Sequence, residues 1–344
     1  MTFFWDEIKK EKRPIVIYGT GDAAEKTFNM LKERGIRVMA FSSSTEFLRN
    51  RSFLGYKVLP LERIKEIYGN DIVLLLGFGS HEKAVIDHII ELSKEFDLYM
   101  PDLLLSEDGE AFDSSYFEKH REEIEWAYSL LSDDLSREVF SSTLEYRMTG
   151  RIEPLLKINR EEEENWNLLN IKEGDSFFDC GAYNGDTISL FIKKAGIYKE
   201  IYGVEPSGRS FKKLYEKYGG HENIHLYNTV LGESDGYAGF EKGHGRGNKI
   251  GEGVRIEKRS IDSILSGRSI DIIKYDIEGE EEKGLEGARR TIEEYKPRIL
   301  LSTYHRTDDY WKLLNKVFLI RDDYKVYMRK NSALPNWDVA YYLV

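Results

Sequence analysis

The sequence lacks the features that mark secreted, disulfide-bonded and membrane-spanning proteins. Its one cysteine, Cys180, has no partner for an internal disulfide. No stretch reaches the roughly 18 uncharged apolar residues of a membrane-spanning helix, and the most apolar run, 72–78, has the length of a strand. The first residues lack the basic and apolar segments of a secretory signal. We therefore expect a cytoplasmic chain without a membrane span.

An excess of basic charge is also absent. Lys and Arg number 50 against 61 Asp and Glu, so the net charge is −11. Because proteins that bind nucleic-acid phosphates depend on a basic surface, we expect no nucleic-acid partner. The content of 41% hydrophobic and 32% charged residues is typical of a globular chain. A length of 344 residues predicts two domains of ordinary size.

The strand and helix patterns divide the chain into three segments. Residues 1–105 contain short β-branched runs that alternate with helical patterns, as in a small Rossmann-like parallel α/β domain of nucleotide-binding type. Residues 106–170 have apolar residues at helical spacing, which predicts a helical connector. A second α/β domain is predicted for residues 171–344.

The second domain has the pattern of an open parallel sheet closed by an antiparallel hairpin. The predicted strands are 176–180, 201–205, 224–231, 271–277 and 298–304. The predicted helices are 187–195, 210–217, 281–294 and 308–316. Two further strands, 324–329 and 339–344, are close enough in the chain to pair antiparallel. The Gly-rich stretch 243–248 is predicted to be a mobile loop.

Acidic residues stand where several strands of this domain end. Asp179 ends the first strand and precedes two glycines and a helix start, and Glu205 ends the second strand. Asp276 and Glu278 follow the fourth strand, and His305 follows the fifth. The carboxyl ends of parallel strands border the ligand crevice of an open α/β sheet, so we expect these side chains at one site. A carboxylate after the second strand suits a ribose diol.

Four segments of this domain resemble the FkbM family of S-adenosylmethionine-dependent methyltransferases. They are residues 178–187, 203–206, 273–281 and 304–306, in the same order and at the right spacing. The resemblance extends over about residues 165–344. It implies an α/β fold of the class I, seven-stranded, Rossmann-like type and methylation of a hydroxyl, commonly on a sugar or secondary metabolite. The smaller Rossmann-like domain in front is similar to the extra domain of one subgroup.

The resemblance also implies roles for individual residues. The amino-acid end of S-adenosylmethionine would lie against Asp179, Gly181 and Gly185, and its ribose against Glu205. The full set expected to bind the cofactor is Asp179, Gly181, Ala182, Tyr183, Asn184, Gly185, Asp186, Thr187, Glu205, Pro206, Ser207, Val230, Leu231 and Asp276. Tyr275 and Glu281 depart from the aliphatic and small or apolar residues expected at their positions, so the acceptor side is open to difference. Tyr183, Tyr275 and Tyr304 stand at strand ends and are expected to stack on the cofactor or sugar beside this site.

The chemistry demands little of the protein, because the methyl group of S-adenosylmethionine is already activated. An acceptor hydroxyl has to be aligned and its proton removed. The hypothesis from the sequence is that His305 is the base and that Asp276 orients it or the acceptor. The acceptor is expected to contact Glu278, Tyr304 and Arg306. No residue is assigned to a metal, and an alternative divalent-cation site consists of Asp276 with Glu278, Asp308 or Asp309.

The first domain allows rival functions. Gly19 and Gly21 follow a strand and precede a helix, as in a dinucleotide fold, but residues 41–44 lack the acid expected about 20 residues on. The alternatives to a methyltransferase are therefore an oxidoreductase, or a non-catalytic binding protein, that uses this domain for a nucleotide or nucleotide sugar. The expected partner is a small-molecule or glycan acceptor. Two further partners to consider are a nucleotide sugar and a second copy of the chain in a homo-oligomer.

Overall fold

The computed structural model describes residues 2–44, 52–103, 110–241, 249–250 and 254–344. The chain forms two compact units. The first comprises Met1–Glu123, Arg137–Arg160 and Lys330–Asp338, and the second comprises Ile124–Ser136, Glu161–Arg329 and Val339–Val344. This division differs from the three predicted segments, because the connector is shared between the units and the hairpin loop belongs to the first. The Gly-rich stretch 243–248 lies outside the described residues.

The first part of the chain alternates short strands with helices. Up to residue 160, the strands are β1 (Ile15–Tyr18), β2 (Ala40–Ser42), β3 (Ser52–Phe53), β4 (Tyr56–Leu59), β5 (Val73–Leu76), β6 (Asp97–Tyr99) and β7 (Asn159–Arg160). The helices of the same part are α1 (Phe4–Glu7), α2 (Asp22–Glu33), α3 (Leu61–Tyr68), α4 (Lys83–Glu95), α5 (Ser114–Lys119), α6 (Arg121–Ser129), α7 (Asp134–Thr149) and α8 (Glu153–Ile158).

The sheet of the first unit has the order β3-β4-β2-β1-β5-β6. The short strand β3 joins antiparallel, and the other pairs are parallel. All residues of β1 and β5 are buried, as expected for central strands that are covered on both faces. Chain winding reverses at β1, where β2 lies on one side and β5 on the other. This is the Rossmann-like arrangement that the sequence predicts.

The second part of the chain forms a larger main sheet and a separate four-stranded sheet. From residue 161, the strands are β8 (Phe177–Cys180), β9 (Ile201–Val204), β10 (Ile224–Tyr227), β11 (Val230–Leu231), β12 (Gly236–Glu241), β13 (Lys249–Ile250), β14 (Val254–Arg259), β15 (Ile272–Tyr275), β16 (Arg298–Ser302), β17 (Val326–Asn331) and β18 (Val339–Leu343). The helices are α9 (Glu162–Asn165), α10 (Asp186–Ala195), α11 (Gly208–Tyr218), α12 (Ile261–Leu265), α13 (Glu281–Glu286), α14 (Arg289–Tyr295) and α15 (Asp309–Ile320).

The main sheet of the second unit has the order β10-β9-β8-β15-β16-β18-β17. Pairs from β10 to β16 are parallel, and β18 lies antiparallel to β16. The open parallel sheet with its antiparallel hairpin is thus confirmed. Chain winding reverses between β8 and β15, where Asp179 is opposite Lys274 in the register. A crevice at this reversal is the expected ligand position in such a sheet.

Two predicted elements are interrupted, and one small sheet was not predicted. The strand expected at 224–231 divides into β10 and β11, and the helix expected at 281–294 divides into α13 and α14. At the second break, a Cβ on Gly287 would lie 2.1 Å from the carbonyl oxygen of Gly232. This close backbone approach explains the glycine at the break. The added sheet has the order β11-β14-β12-β13.

Candidate active site

The turn after β8 brings two chain segments into close contact. Gly181 has φ +83°, and a Cβ there would lie 2.0 Å from the carbonyl oxygen of Asp276. Gly185 has φ +82°, and its Cβ would lie 2.5 Å from the ring of Tyr218. Both positions therefore need glycine for backbone conformation and for space. The turn between them opens α10 at the carboxyl edge of the sheet, as the sequence predicts.

Glu205, at the end of β9, lies directly beside this turn. Its carboxylate is 7% exposed and accepts hydrogen bonds from the backbone N–H groups of Tyr183 at 2.9 Å and Ser207 at 2.7 Å. Asn228 fixes the backbone of Glu205, since its side-chain amide donates to the Glu205 carbonyl oxygen at 2.8 Å. Burial raises the pKa of Glu205 to about 7, and the charges of Asp179 and Glu278 act in the same direction.

Asp179 is buried more deeply than its predicted contact with the cofactor suggests. Its residue is 0% exposed, and its carboxylate accepts hydrogen bonds from the hydroxyl of Thr187 and from Nζ of Lys274, the latter at 3.3 Å. Lys274 also lies 3.6 Å from Asp276, so its ammonium group joins the two strand ends. Burial raises the pKa of Asp179 against the effect of Lys274. Asp179 reaches the crevice surface through Thr187, and direct contact with a cofactor stays a prediction.

Asp276 is the more accessible carboxylate of this pair. Its side chain is 32% exposed at the end of β15, and its Oδ1 accepts a hydrogen bond from the hydroxyl of Tyr304 at 3.1 Å. The same oxygen lies 3.4 Å from Nε2 of His305. Although burial opposes it, the charges of Lys274 and His305 hold the pKa of Asp276 below its usual range. An ionised carboxylate therefore borders the crevice next to the Gly181 turn.

His305 lies beneath this carboxylate, among three acidic side chains. Its own side chain is 4% exposed, with Nδ1 2.9 Å from Glu281 and Nε2 3.8 Å from Glu278. Burial by itself would lower the pKa of His305, but Glu281, Asp276 and Glu278 outweigh it and raise the pKa to about 10. The sequence hypothesis that His305 is the base stays a prediction, and its surroundings favour the protonated ring.

The other residues predicted to bind the cofactor surround the first turn with different accessibility. Tyr183 is 38% exposed, whereas Ala182 is buried at 0%. Asn184 and Pro206 are half-buried, and the carboxylate of Asp186 accepts from the backbone of Thr187. Ser207 caps α11 and accepts from the backbone N–H of Ser210. On the adenine side, the predicted Val230 and Leu231 are each 4% exposed and pair with β14.

The residues predicted for the acceptor meet at the far side of Asp276. The ring of Tyr304 lies 4.2 Å from the ring of His305. Arg306 donates from Nε to the carbonyl oxygen of Gly279 at 2.7 Å, so its guanidinium fixes the turn that contains Glu278. Tyr304 thus contacts the partly exposed carboxylate of Asp276, whereas Glu278 lies near His305 and Arg306 contacts Gly279.

Some participants were missed or misplaced by sequence reasoning. The ammonium group of Lys274 and the amide of Asn228 join separate motifs, although neither was assigned a role. Their partners are distant in sequence, so no local pattern indicates them. Tyr275 was expected to stack beside the site, but it is 0% exposed. It is the last residue of β15, and its ring faces the interior and not the crevice; that expectation was wrong.

The comparisons with known proteins identify the domain that contains this site. Residues 179–324 match the family described as the methyltransferase FkbM domain. Residues 179–324 are an FkbM methyltransferase domain. No curated protein sequence matches the chain. The assignment agrees with the family resemblance of the four sequence motifs and makes the chain an S-adenosylmethionine-dependent methyltransferase.

Solved structures are similar over different shares of the chain. Methyltransferase FkbM from Methylobacillus flagellatus KT is 22% identical, with a TM-score of 0.77 over 99% of this chain and 92% of the other. An rRNA methylase from Streptococcus thermophilus is 15% identical, with a TM-score of 0.37 over 54% of this chain and 96% of the other. The first similarity confirms the α/β fold over both domains, including the one in front of the FkbM methyltransferase domain.

The residues at the crevice fit S-adenosylmethionine, the cofactor of the FkbM methyltransferase domain. The buried carboxylate of Glu205 has lone pairs beyond its two backbone hydrogen bonds, which suits the hydroxyls of a ribose. The exposed carboxylate of Asp276 suits a ligand with positive charge. Among the described residues, no helix is long and apolar enough to cross a membrane.

Proposed function

We propose that this methyltransferase is an O-methyltransferase that acts on a hydroxyl of a sugar, a glycan precursor or a secondary metabolite. The observation that supports the proposal is the partly exposed, ionised carboxylate of Asp276 beside the Gly181 turn. A carboxylate accepts a hydrogen bond from an alcohol and can take its proton as the oxygen is methylated. The same carboxylate cannot donate a proton, so it favours a hydroxyl acceptor over a group that needs protonation.

The cofactor side of the site has three contributions from the chain. Glu205 would accept hydrogen bonds from the ribose, and the backbone of the 181–185 turn would lie against the amino-acid end. Ser207, Val230 and Leu231 would border the adenine. When bound, S-adenosylmethionine supplies an activated methyl group on a positively charged sulfur. Thr187 and Lys274 keep the buried Asp179 in place under this turn.

On the acceptor side, some residues would contact the acceptor and others would hold Asp276 in position. Asp276 would take the proton of the acceptor hydroxyl as its oxygen receives the methyl group that S-adenosylmethionine would supply. His305 is 4% exposed, so it acts from beneath by facing Asp276 with Nε2. Tyr304 donates to the same carboxylate from the side. Glu278 and Arg306, on adjacent turns, would contact the acceptor.

The proposal also includes the class of acceptor, the cellular compartment and the oligomeric state. Carboxylates next to the exposed ring of Tyr183 suit a polyhydroxylated acceptor, because sugars combine hydroxyl donors with apolar faces. A nucleotide-linked sugar is the form of acceptor that the additional Rossmann-like domain favours. We place the reaction in the cytoplasm, consistent with the free thiol of the buried Cys180. A homo-oligomer is part of the same proposal.

A product analysis tests the acceptor chemistry. The full chain is incubated with S-adenosylmethionine labelled in the methyl group and with panels of nucleotide sugars, free glycans and hydroxylated metabolites. We expect label in a base-stable methyl ether, with S-adenosylhomocysteine formed in equal amount. Label in an ester, an amine or a thioether would overturn the O-methyltransferase proposal. Asp322→Asn, a change at an exposed acid, is the control for a general charge effect.

A further inference from the structure

Three side chains converge beneath Asp276, and the proposed reaction gives a role to only one of them, His305. Glu281 is the first residue of α13, His305 follows β16, and Asp309 is the first residue of α15. They are 1%, 5% and 1% exposed. One ligand atom from each lies within 4.8 Å of the other two. An imidazole and two carboxylates are thus enclosed together below the accessible carboxylate.

Three buried polar atoms in this cluster make no hydrogen bond to any residue that the structure describes. Both ring nitrogens of His305 and Oε2 of Glu281 are buried and unpaired. Nδ1 of His305 lies 2.9 Å from Oε1 of Glu281, but the two atoms are not aligned as a hydrogen bond. Burying a polar group without a partner is unfavourable, because the group loses its hydrogen bonds to water. Two neighbouring side chains with unpaired atoms therefore indicate a missing ligand between them.

Both carboxylates of the cluster are fixed by the backbone. Oε1 of Glu281 accepts from the N–H of Ile277 at 2.9 Å, and Oδ2 of Asp309 accepts from the N–H of Arg306 at 2.7 Å. These contacts set the direction of each carboxylate without neutralising it. Negative charge is also in excess around the ring, since Asp276 and Glu278 approach its other nitrogen. A cation would balance that excess.

We propose that Glu281, His305 and Asp309 bind one divalent transition-metal ion. Imidazole and carboxylate ligands suit such ions. Ligand atoms bound at about 2.1 Å lie about 3–4 Å apart, so separations of up to 4.8 Å need to shorten by up to about 1–2 Å. The ion takes the place of the proton on Nδ1, which is released to solvent.

The position of the ion defines its role. This role rests on the proposed function, whereas the existence of the metal site does not. The ion is enclosed and does not reach the acceptor. It fixes the ring of His305 so that Nε2–H faces Asp276 at 3.4 Å. A metal-bound imidazole commonly donates its other N–H to a carboxylate, which orients both groups. Asp276 would thereby be held in the position from which it takes the proton.

Equilibrium dialysis of the full chain against Co²⁺ tests the site without any methyl transfer. We expect about one Co²⁺ per chain, visible absorption bands from nitrogen and oxygen ligands, and one shifted, exchangeable imidazole signal in the NMR spectrum. Asp309→Asn and Glu281→Gln should weaken binding at least about tenfold. The matched controls are Glu282→Gln and Asp322→Asn, which remove the same charge from a half-buried and an exposed residue outside the cluster.

The outcomes separate the site from the reaction. No bound Co²⁺ at millimolar concentration, or binding that the cluster variants leave unchanged, overturns the proposal. If the cluster variants do not fold, the spectra of the unaltered chain decide, because absent bands or an absent imidazole signal overturn it equally. A chain that binds Co²⁺ in this way but methylates no hydroxyl would contradict the proposed function and leave the metal site in place.

Discussion

The two parallel sheets of this protein share a winding order but differ in what lies at their strand ends. In each sheet the chain reverses beside its first strand, and a glycine turn follows that strand. The residue that follows the second strand is Ser43 in the first unit and Glu205 in the second. The comparison shows that the winding order positions a crevice and that the side chains at the strand ends decide its chemistry.

The crevice edge of the first unit is also approached by its own chain. A Cβ on Gly79 would lie 2.5 Å from both the carbonyl oxygen of Leu334 and the ring of Pro335. Ser80 and Leu334 exchange backbone hydrogen bonds at 2.7 and 3.0 Å. By contrast, the edge after β15 in the second unit carries the exposed carboxylate of Asp276. The first unit therefore uses part of this edge for internal packing.

Asp276→Asn should have the largest effect, because it removes the proton acceptor from the second crevice. We expect the rate of methyl transfer to fall about 100- to 1,000-fold, in the range of general-base catalysis, with S-adenosylmethionine affinity changed less than about threefold. Steady-state kinetics and calorimetry separate the two effects. Asp322→Asn is the control, and equal loss of rate in both variants would contradict the role of Asp276.

Glu205→Gln tests whether the acid after the second strand distinguishes the two units. Replacing a charged acceptor of two ribose hydrogen bonds should weaken S-adenosylmethionine binding about 100-fold, since such bonds contribute about 1.5–3 kcal/mol each. Titration calorimetry measures the change, with circular dichroism to verify folding. Ser43→Ala, at the equivalent strand end of the first unit, should leave the affinity unaltered. Equal losses of S-adenosylmethionine affinity in Glu205→Gln and Ser43→Ala would contradict the difference between the two units.

Gly181→Ala tests the close approach of the two strand ends. Both the left-handed backbone and the contact with Asp276 oppose a side chain there, so we expect about 3–5 kcal/mol lower free energy of unfolding. Gly174→Ala is the matched control, because its φ is +85° and nothing lies within 4 Å of the added Cβ. Chemical denaturation should show a loss of only about 1–2 kcal/mol for the control. Equal losses of unfolding free energy in the two variants would show that the contact with Asp276 does not contribute.

The pH dependence of cofactor affinity should be the smallest effect. Because burial raises the pKa of Glu205 to about 7, the free protein takes up a proton there as the pH falls below 7. The ionised form accepts the ribose hydroxyls, and the nearby charges of Asp179 and Glu278 disfavour that form until a cationic ligand binds. Affinity should therefore be constant above about pH 8 and fall by up to about tenfold per unit below 7. In Glu205→Gln this slope should disappear, and an affinity that rises on acidification would refute the assignment.

Much of the main sheet and the strand-end acids was predictable, because both depend on local patterns. Apolar runs, glycine turns and acids at strand ends placed Asp179, Glu205 and Asp276 at one sheet edge. The breaks in the 224–231 strand and the 281–294 helix were not predicted. Gly287 marks one of them, but the close backbone approach that requires glycine there comes from Gly232, distant in the sequence.

The sequence by itself determined the class of domain and the set of groups at the crevice, because winding order and strand-end chemistry follow from pattern and spacing. Only the tertiary structure decided how those groups divide their work. It buried Asp179 with Lys274, exposed Asp276, and enclosed His305 among carboxylates. Burial and charge set the protonation of each group, and both depend on neighbours that are brought together by folding.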